Sequence, residues 1–273
     1  MSNYIHGTQP DEQSRLTKLN DLINESCLKL LELKAGESVL DIGSGLGQFT
    51  LRSADVVGAS GRCLGIERDK NQLKGALQNL EIHKRSNVEF RQGNAENLEL
   101  STAEWGSFDV AHARFVLEHV PQPDSVVRGM AKAVRLGGRI LLLDDDHASL
   151  CLYPEPSGFS HLWNAYVRSY DRLGNDPHVG RRMVSLLYHC GIRDIRNGVV
   201  FFGDSGESET FQAYARNLIN ILEGARPTLI KESLMTELNY DESMDHLRTW
   251  SRRPDAAMWY TIFWAKGVKP TGQ

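Results

Sequence analysis

Cysteine is scarce in this chain, with four residues in 273 and no C-x-x-C pair. Cys27, Cys63, Cys151 and Cys190 are scattered, so neither a disulfide framework nor a zinc site is predicted. We expect them to be reduced residues of a cytoplasmic protein. No apolar run approaches the ~18–20 residues that a membrane-spanning helix needs, and the polar residues 1–10 do not resemble a signal peptide.

An excess of basic residues is also lacking. The 31 Lys and Arg residues against 35 Asp and Glu residues give a formal net charge of −4. This balance argues against a general surface for nucleic acid or anionic membranes, so neither is expected as a partner. The 41% hydrophobic and 24% charged content is ordinary for a globular chain. The length suits one domain with an insertion, and a homodimer is left open.

The stretch Val39–Gly47 combines a short apolar run and an acid with three glycines in five residues. It predicts a buried parallel strand, a tight turn and a helix. Glycines let the backbone approach a ligand closely, and the helix points free N–H groups at that ligand. The G-x-G-x-G spacing differs from the G-x-G-x-x-G of dinucleotide-binding proteins and from phosphate loops. The alternative is an ordinary turn between a strand and a helix.

Four further segments follow this turn in a definite order: Gly65–Glu67, Gly93–Glu96, Phe108–Val110 and Leu136–Arg139. Together with the D-x-G-x-G-x-G pattern that begins at Asp41, they resemble the class I S-adenosylmethionine (SAM)-dependent methyltransferases of the small-molecule type. The resemblance implies an α/β fold with a seven-stranded, mostly parallel, Rossmann-like sheet and flanking helices. It also implies helical lid insertions after strands 5 and 6, an antiparallel seventh strand at the sheet edge, and SAM as the cofactor.

The resemblance is strong over about residues 36–144 and weak beyond. Within a single domain over 1–273, we expect an N-terminal helical cap over 1–35, a SAM-binding core over 36–147, and lid or substrate helices over 148–174 and 204–250.

Hydrophobic periodicity places the individual elements. Helices are predicted over 12–33, from the glycine turn to about 57, and over 69–83, 124–134, 178–190 and 207–223, with further helices after Pro227 to about 251. The segments 113–119 and 149–176 are also helical in pattern. Strands are predicted over Ser38–Ile42, Cys63–Ile66, Asn87–Phe90, Ser107–His112, Arg139–Leu143, Asp194–Phe202 and Met258–Ala265.

SAM-contacting residues are expected at the carboxyl ends of the strands. Glu67 ends the second strand and is predicted to accept both ribose hydroxyls, with a helix cap near Asp69 as the alternative. Asn94 stands where the family usually has Asp, and its carbonyl can still accept the adenine amino hydrogen. Arg15 either pairs with the SAM carboxylate or lies on a solvated helix face. The expected cofactor contacts are Tyr4, Arg15, Asp41, Gly43, Gly45, Leu46, Gln48, Glu67, Arg68, Gln72, Asn94, Ala95, Glu96, Ala113, Arg114 and His119.

The aromatic segment after the fifth strand suits a mostly apolar acceptor pocket, although core packing is the alternative for each ring. Arg114 cannot serve as a base and is expected to hold an anionic acceptor group. The expected acceptor contacts are Arg114, Asp145, Tyr153, Trp163, Tyr166 and Tyr170.

Histidine titrates near neutral pH without a shifted pKa, so His147 is the expected catalytic base and His119 the second candidate. The alternatives are catalysis by alignment alone and, for His119, a packed or capping histidine. Asp144–Asp146 is the one acidic run placed to bind Mg²⁺. A single local acidic run usually faces solvent or caps a helix, so we expect a reaction without metal.

The sequence therefore predicts methyl transfer from SAM to an O, N or C nucleophile of a small organic molecule. One alternative is a C-methyltransferase of the ubiquinone/menaquinone type, which the order of elements also resembles. The other is a protein that binds SAM without transferring its methyl group.

Overall fold

A computed structural model of the protein describes residues 23–172 and 174–271. The described residues form ten strands: β1 (Ser38–Ile42), β2 (Arg62–Glu67), β3 (Val88–Gln92), β4 (Phe108–Arg114), β5 (Val134–Asp145), β6 (Cys151–Tyr153), β7 (Arg193–Phe201), β8 (Asp204–Ser205), β9 (Ala257–Trp259) and β10 (Thr261–Val268). Seven of them make one sheet in the order β3-β2-β1-β4-β5-β10-β7. Strands β1 to β5 pair in parallel, and β10 is antiparallel to both of its neighbours. The expected seven-stranded, mostly parallel α/β fold is confirmed.

Helices follow most of the strands. They are α1 (residues 23–31), α2 (Gln48–Val57), α3 (Lys70–His83), α4 (Pro123–Ala133), α5 (Phe159–Asp171), α6 (Met183–His189), α7 (Glu209–Lys231) and α8 (Glu237–Trp250). Single 3₁₀ turns lie at Leu117–His119, His147–Ser149 and Val179–Arg182. The predicted helix over 12–33 is helical in its described part, and its remainder lies outside the described residues. Among the described helices, none has both the length and the apolar character to cross a membrane.

Two hydrophobic clusters lie on opposite faces of the sheet. Val39 and Cys63 belong to the first cluster, whereas Leu40 and Leu64 belong to the second. This alternation is the period of two that a strand imposes, and it explains why these strands read as continuous apolar runs. The first cluster extends into α5, α7 and α8, which pack against one another. The segments predicted as lids therefore share the core of one sheet face.

The sequence analysis placed the antiparallel strand at the edge of the sheet, and this prediction is wrong. Strand β10 pairs with β5 on one side and β7 on the other, so β7 is the edge strand. Two buried positions of β10 fit this interior place, Ile262 and Ala265. Lys266 is also buried there, but its ammonium group donates to Leu30 O at 2.8 Å and contacts Glu32 at 2.7 Å. The buried charge is thus paired.

Several element boundaries also differ from the prediction. The strand expected over Met258–Ala265 is divided at Tyr260 into β9 and β10, because β9 leaves the main sheet to pair with β6 and β8. Helix α7 continues through Pro227, which was expected to follow its end. An internal proline removes one backbone hydrogen bond, and tertiary packing of α7 overrides that cost. The segment 149–176 contains β6 as well as α5, and the helix expected over 113–119 is a single 3₁₀ turn.

Candidate active site

The glycine turn after β1 is restricted to glycine by its backbone and its neighbours. Gly43 and Gly47 have φ values of +71° and +76°, a region that other residues rarely adopt. A Cβ on Gly43 would lie 2.4 Å from Val116 Cγ2, and one on Gly47 would lie 2.4 Å from Phe90 Cζ. Gly43 N donates to Ile66 O at 2.8 Å, which fixes the turn against the end of β2.

A cavity lies at the carboxyl ends of β1, β2 and β4, beside this turn. Its walls include these residues predicted from the sequence: Asp41, Gly43, Gly45, Leu46, Gln48, Glu67, Arg68, Gln72, Asn94, Ala95, Arg114 and His119. Two predicted residues are not on the wall. Glu96 turns away to accept from Gln122 N at 2.9 Å, and Ala113 is buried in the second hydrophobic cluster. Tyr4 and Arg15 lie outside the described residues.

Glu67 is held in the first cavity by backbone amides. Its Oε2 accepts from Gly45 N at 2.9 Å, and its Oε1 accepts from Asp69 N at 2.7 Å. Burial raises the pKa of Glu67, and these amide hydrogen bonds offset part of that rise. The cap of α3 is Asp69, whose Oδ1 accepts from Asn71 N and Gln72 N. Capping of that helix therefore does not account for Glu67, and its carboxylate keeps lone pairs for further donors.

Arg114 belongs to the first cavity and not to the second. Its guanidinium lies 4.2 Å above the centre of the Phe49 ring, and Nη1 donates to Asn24 Oδ1 at 2.8 Å. Burial lowers the pKa of Arg114, which nevertheless stays a cation in proteins. Asn94, on the same cavity, uses its Oδ1 to accept from Glu96 N at 3.0 Å. The amide carbonyl has a second lone pair, so an additional donor fits.

A second cavity adjoins the first, because Phe115 and His119 line both. Its walls include Trp163, Tyr166 and Tyr170 from α5, as predicted from the aromatic pattern. Helix α7 and the segment 258–262 supply further residues of the wall. Tyr153 is 67% exposed and does not line this cavity, because β6 turns its side chain outward at the surface.

A hydrogen-bonded chain runs along the wall of the second cavity. His147 Nε2 lies 3.1 Å from Glu118 Oε2, and His147 Nδ1 lies 3.0 Å from Tyr260 Oη. Trp163 Nε1 donates to the carbonyl of His147 at 2.8 Å and fixes its backbone. Both ring nitrogens of His147 thus have hydrogen-bond partners within the protein, and neither is available to a molecule bound in the cavity.

Charges around His147 reinforce this arrangement. Burial alone would lower its pKa, but the hydrogen bond and charge of Glu118, with the charges of Asp145 and Asp146, raise it above the ordinary value. His119 Nε2 lies 3.4 Å from Glu118 Oε1, and its ring stacks on Tyr170 at 6.0 Å. Glu118 therefore lies between two imidazoles.

The three residues of the acidic run at the end of β5 have different surroundings. Asp144 is fully buried, and its Oδ2 accepts from Val116 N at 3.1 Å and Leu117 N at 2.7 Å, which holds the turn after β4. Asp146 pairs with the guanidinium of Arg181, and these contacts lower its pKa despite burial. Only Asp145 lines the second cavity. The run does not converge on one point as a magnesium site would require.

A different group could hold a metal. One ligand atom each from Glu118, Asp145 and His147 lie within 4.8 Å of one another. Two carboxylates and an imidazole suit several divalent transition metals. A metal would have to displace the hydrogen bond between His147 and Glu118. The absence of a metal requirement stays a prediction.

Sequence reasoning missed three residues of this site. Glu118 and Tyr260 are 29 and 113 positions from His147, a separation at which no local pattern reports contact. Phe115 joins the two cavities with a φ of +55°. A bulky residue in this region is rare and often marks a functional turn, but nothing in the sequence signals it.

Residues 33–163 match the family model described as “Methyltransferase domain”. This part of the chain is therefore similar to methyltransferase domains. The match covers the glycine turn, the first cavity and the start of α5, and it confirms the resemblance on which the expected family was based.

Curated proteins resemble about half of this chain. The chain is 31% identical to demethylmenaquinone methyltransferase of Lactococcus lactis over 50% of its own length and 54% of the relative. It is 34% identical to arsenite methyltransferase of Aquipseudomonas alcaligenes over 53% and 46%. The chain thus spans about half the length of these curated relatives.

A solved structure extends the likeness of fold. Phosphoethanolamine N-methyltransferase 2 of Haemonchus contortus, in complex with S-adenosyl-L-methionine, superposes with a TM-score of 0.58 at 19% identity. The superposition covers 90% of this chain and 52% of that chain. It supports the seven-stranded fold beyond residue 163.

Proposed function

We propose that this protein transfers the methyl group of SAM to a nucleophilic atom of a small organic molecule. One observation supports this proposal above all. The cavity beside the glycine turn and Glu67 adjoins an aromatic cavity, and Phe115 and His119 line both. Two reactants in adjoining cavities meet at this junction. The SAM sulfonium is already activated, so alignment and exclusion of water are the main tasks of the protein.

SAM occupies the first cavity in this proposal. Glu67 accepts the ribose hydroxyls, because its carboxylate is fixed on the wall by backbone amides. Asn94 and Ala95 border the adenine, and Arg114 supplies a cation for the carboxylate of the methionine portion. The relative from Haemonchus contortus, which has a similar fold, was solved with SAM. The roles expected for Tyr4 and Arg15 remain predictions.

The acceptor occupies the second cavity, with Trp163, Tyr166 and Tyr170 as apolar walls. The segments 148–174 and 204–250 enclose it and act as lids that order over both reactants. His147 does not contact the acceptor directly while Tyr260 occupies its Nδ1. We therefore assign His147 to holding Glu118 and Tyr260 in place, and we place Asp145 nearest to the acceptor proton.

A second candidate is C-methylation of a quinol, which the relationship to demethylmenaquinone methyltransferase favours. A neutral, planar acceptor would also suit aromatic walls. The arsenite methyltransferase relative shows comparable identity with a very different acceptor, so sequence similarity does not choose between acceptors. The non-catalytic alternative predicts SAM binding without any turnover.

The four cysteines are free in the structure, with Cys27 and Cys63 buried. Free thiols are typical of reducing compartments. They support the proposed cytoplasmic location.

The test combines binding and turnover. Isothermal titration should show about one SAM site per chain. Incubation with SAM and a panel of amines, phenols, quinols and arsenite, followed by mass spectrometry, should show methylation of one class. SAM binding without product across the panel would favour the non-catalytic alternative, and absence of SAM binding would refute the proposal.

A further inference from the structure

Phe115 lies at the junction of the two cavities, directly after β4. It lines both cavities, and its side chain packs at the margin of the first hydrophobic cluster. The guanidinium of Arg114, which lines the first cavity and not the second, lies 5.9 Å from the centre of the Phe115 ring. A ligand in either cavity therefore contacts Phe115.

The backbone of Phe115 has a conformation that disfavours phenylalanine. Its φ is +55°, a region in which a bulky side chain is crowded and glycine meets no such penalty. Glycine at this position would therefore form the turn more readily. Outliers of this kind persist only where the surrounding structure holds them, and they are concentrated at functional sites. The turn itself thus does not explain why this position carries an aromatic ring.

Neighbouring contacts hold this segment in place. The amide of Phe115 donates to a carbonyl oxygen of β5 at 3.0 Å. The amides of Val116 and Leu117 donate to Asp144 Oδ2 at 3.1 Å and 2.7 Å. Val116 also packs against the glycine turn, since a Cβ on Gly43 would lie 2.4 Å from Val116 Cγ2. The backbone that carries the ring is therefore fixed against both β5 and the glycine turn.

We infer that Phe115 aligns the acceptor with the methyl group of SAM, as a wall that both reactants share. This inference rests on the proposed function, because it names a residue that positions the reactants at the same junction. A displacement in line requires the acceptor atom, the methyl carbon and the sulfur to be collinear, and a misplacement of about 1 Å costs on the order of 100-fold in rate. A fixed aromatic ring limits the movement of either reactant away from that line, and it excludes water from the junction.

Phe115 takes no part in making or breaking bonds. The lone pair of the acceptor atom forms the new bond to the methyl carbon. The C–S bond breaks, and its electron pair passes to sulfur, which changes from sulfonium to thioether. A proton that the acceptor atom loses passes to Asp145, which is placed nearest to it. Because Phe115 acts through geometry alone, loss of its ring should lower kcat without a matching loss of SAM affinity.

Replacements at this one position separate the ring from the turn. Phe115→Gly removes the ring and also relieves the backbone, whereas Phe115→Tyr keeps the ring. The full chain is assayed with the acceptor that the wild-type protein methylates among amines, phenols, quinols and arsenite, and SAM binding is measured by isothermal titration. We expect Phe115→Gly to lower kcat about 100-fold and to keep the Kd for SAM within about threefold. Phe115→Tyr should keep kcat within about threefold of the wild-type value.

Lys84→Gly is the matched control, because it relieves a φ of +50° at the exposed end of α3, outside both cavities. It should leave kcat unchanged. Phe115→Leu provides a second measurement, because it keeps apolar packing without the rigid ring and should lower kcat about tenfold. Thermal denaturation of each variant shows whether the fold is retained. A wild-type kcat in Phe115→Leu would overturn the inference, whether or not Phe115→Gly folds.

Two further results would also overturn the inference. One is a wild-type kcat in Phe115→Gly, which would leave the turn as the role of this position. The other is a fall in SAM affinity that matches the fall in kcat, or a Phe115→Tyr variant as slow as Phe115→Gly, either of which would indicate a structural role. SAM binding by the wild-type protein without product from any acceptor would refute the proposed function, and the inference with it. Turnover by the wild-type protein with an unchanged kcat in Phe115→Gly refutes only the role of Phe115.

Discussion

Replacement of Glu67 tests the cofactor site at the residue that the structure fixes most clearly. In Glu67→Ala, the carboxylate that faces the first cavity is lost, together with its bonds to Gly45 N at 2.9 Å and Asp69 N at 2.7 Å. A hydrogen bond to a charged group contributes about 1.5–3 kcal/mol. Loss of a single ribose bond therefore lowers SAM affinity roughly 10- to 150-fold, and loss of two lowers it further.

The variant also removes support from the glycine turn, so affinity for SAM alone does not separate the two effects. Titration with adenosine and with 2′,3′-dideoxyadenosine separates them. If Glu67 accepts the ribose hydroxyls, the wild-type protein prefers adenosine, and Glu67→Ala loses that preference. If Glu67 only orders the turn, both nucleosides weaken by the same factor.

Glu81→Ala is the matched control, because it removes an exposed acid from α3. It should leave both affinities unchanged. The ribose assignment is refuted if Glu67→Ala binds SAM as tightly as the wild-type protein. It is refuted equally if the preference for adenosine survives in the variant.

Three other predictions follow from the geometry of the site. Gly43→Ala places a Cβ 2.4 Å from Val116 Cγ2 at a positive φ. Thermal denaturation should therefore show that the free energy of unfolding falls by about 1–3 kcal/mol. The control Gly224→Ala, which has open space around it in α7, should be neutral or stabilising by up to about 1 kcal/mol. Activity should survive EDTA, and abolition that Mg²⁺ or Mn²⁺ restores would contradict metal independence. Hydrogen exchange of the segment 148–174 should slow when S-adenosylhomocysteine and an acceptor are bound, and equal rates would count against a lid.

The parallel half of the fold was predictable because its signals are local. Strand β1 has the predicted bounds, Ser38–Ile42, and α3 has its predicted end at His83. Buried parallel strands read as apolar runs, and glycine marks the turns between them. The division of the last strand at Tyr260 was not predictable. The residues on either side are similarly apolar, and only pairing with distant β6 and β8 separates β9 from β10.

The first cavity was predictable for the same reason, and the second cavity only in part. The residues around the glycine turn and Glu67 form short motifs whose spacing carries the information. The wall of the second cavity instead brings together Glu118, His147 and Tyr260. Glu118 lies 29 positions from His147 in the sequence, and Tyr260 lies 113 positions from it. His147 was identified by its residue type, but its role depends on these two partners. In the structure both ring nitrogens of His147 have partners, and its role as a base stays a prediction.

The last prediction concerns the protonation state of His147. The two roles considered for this residue predict opposite dependences on pH. A catalytic base must be neutral, so activity would fall as pH drops through its pKa, and His147→Ala would lower kcat roughly 10²–10⁴-fold. A positioning imidazolium donates to both Glu118 and Tyr260. Burial is the largest single influence on the pKa of His147 and lowers it, but the hydrogen bond and charge of Glu118, with the charges of Asp145 and Asp146, together raise the folded-state pKa above its ordinary value. Its stabilising contribution is therefore fully present below the unfolded pKa, about 6.5, and is lost as pH rises through the folded value.

Thermal denaturation of the wild-type protein and His147→Gln between about pH 6 and pH 9 measures this directly. We expect the difference in stability between them to be largest near pH 6 and to shrink as pH rises. His161→Gln, at an exposed position of α5, should show no such trend. The acids that face the ring are Glu118, Asp145 and Asp146, and they are the same in both proteins. A difference that stays constant or grows with pH would mean that His147 is neutral in the fold, and the role of base would then be favoured over that of a fixed cation.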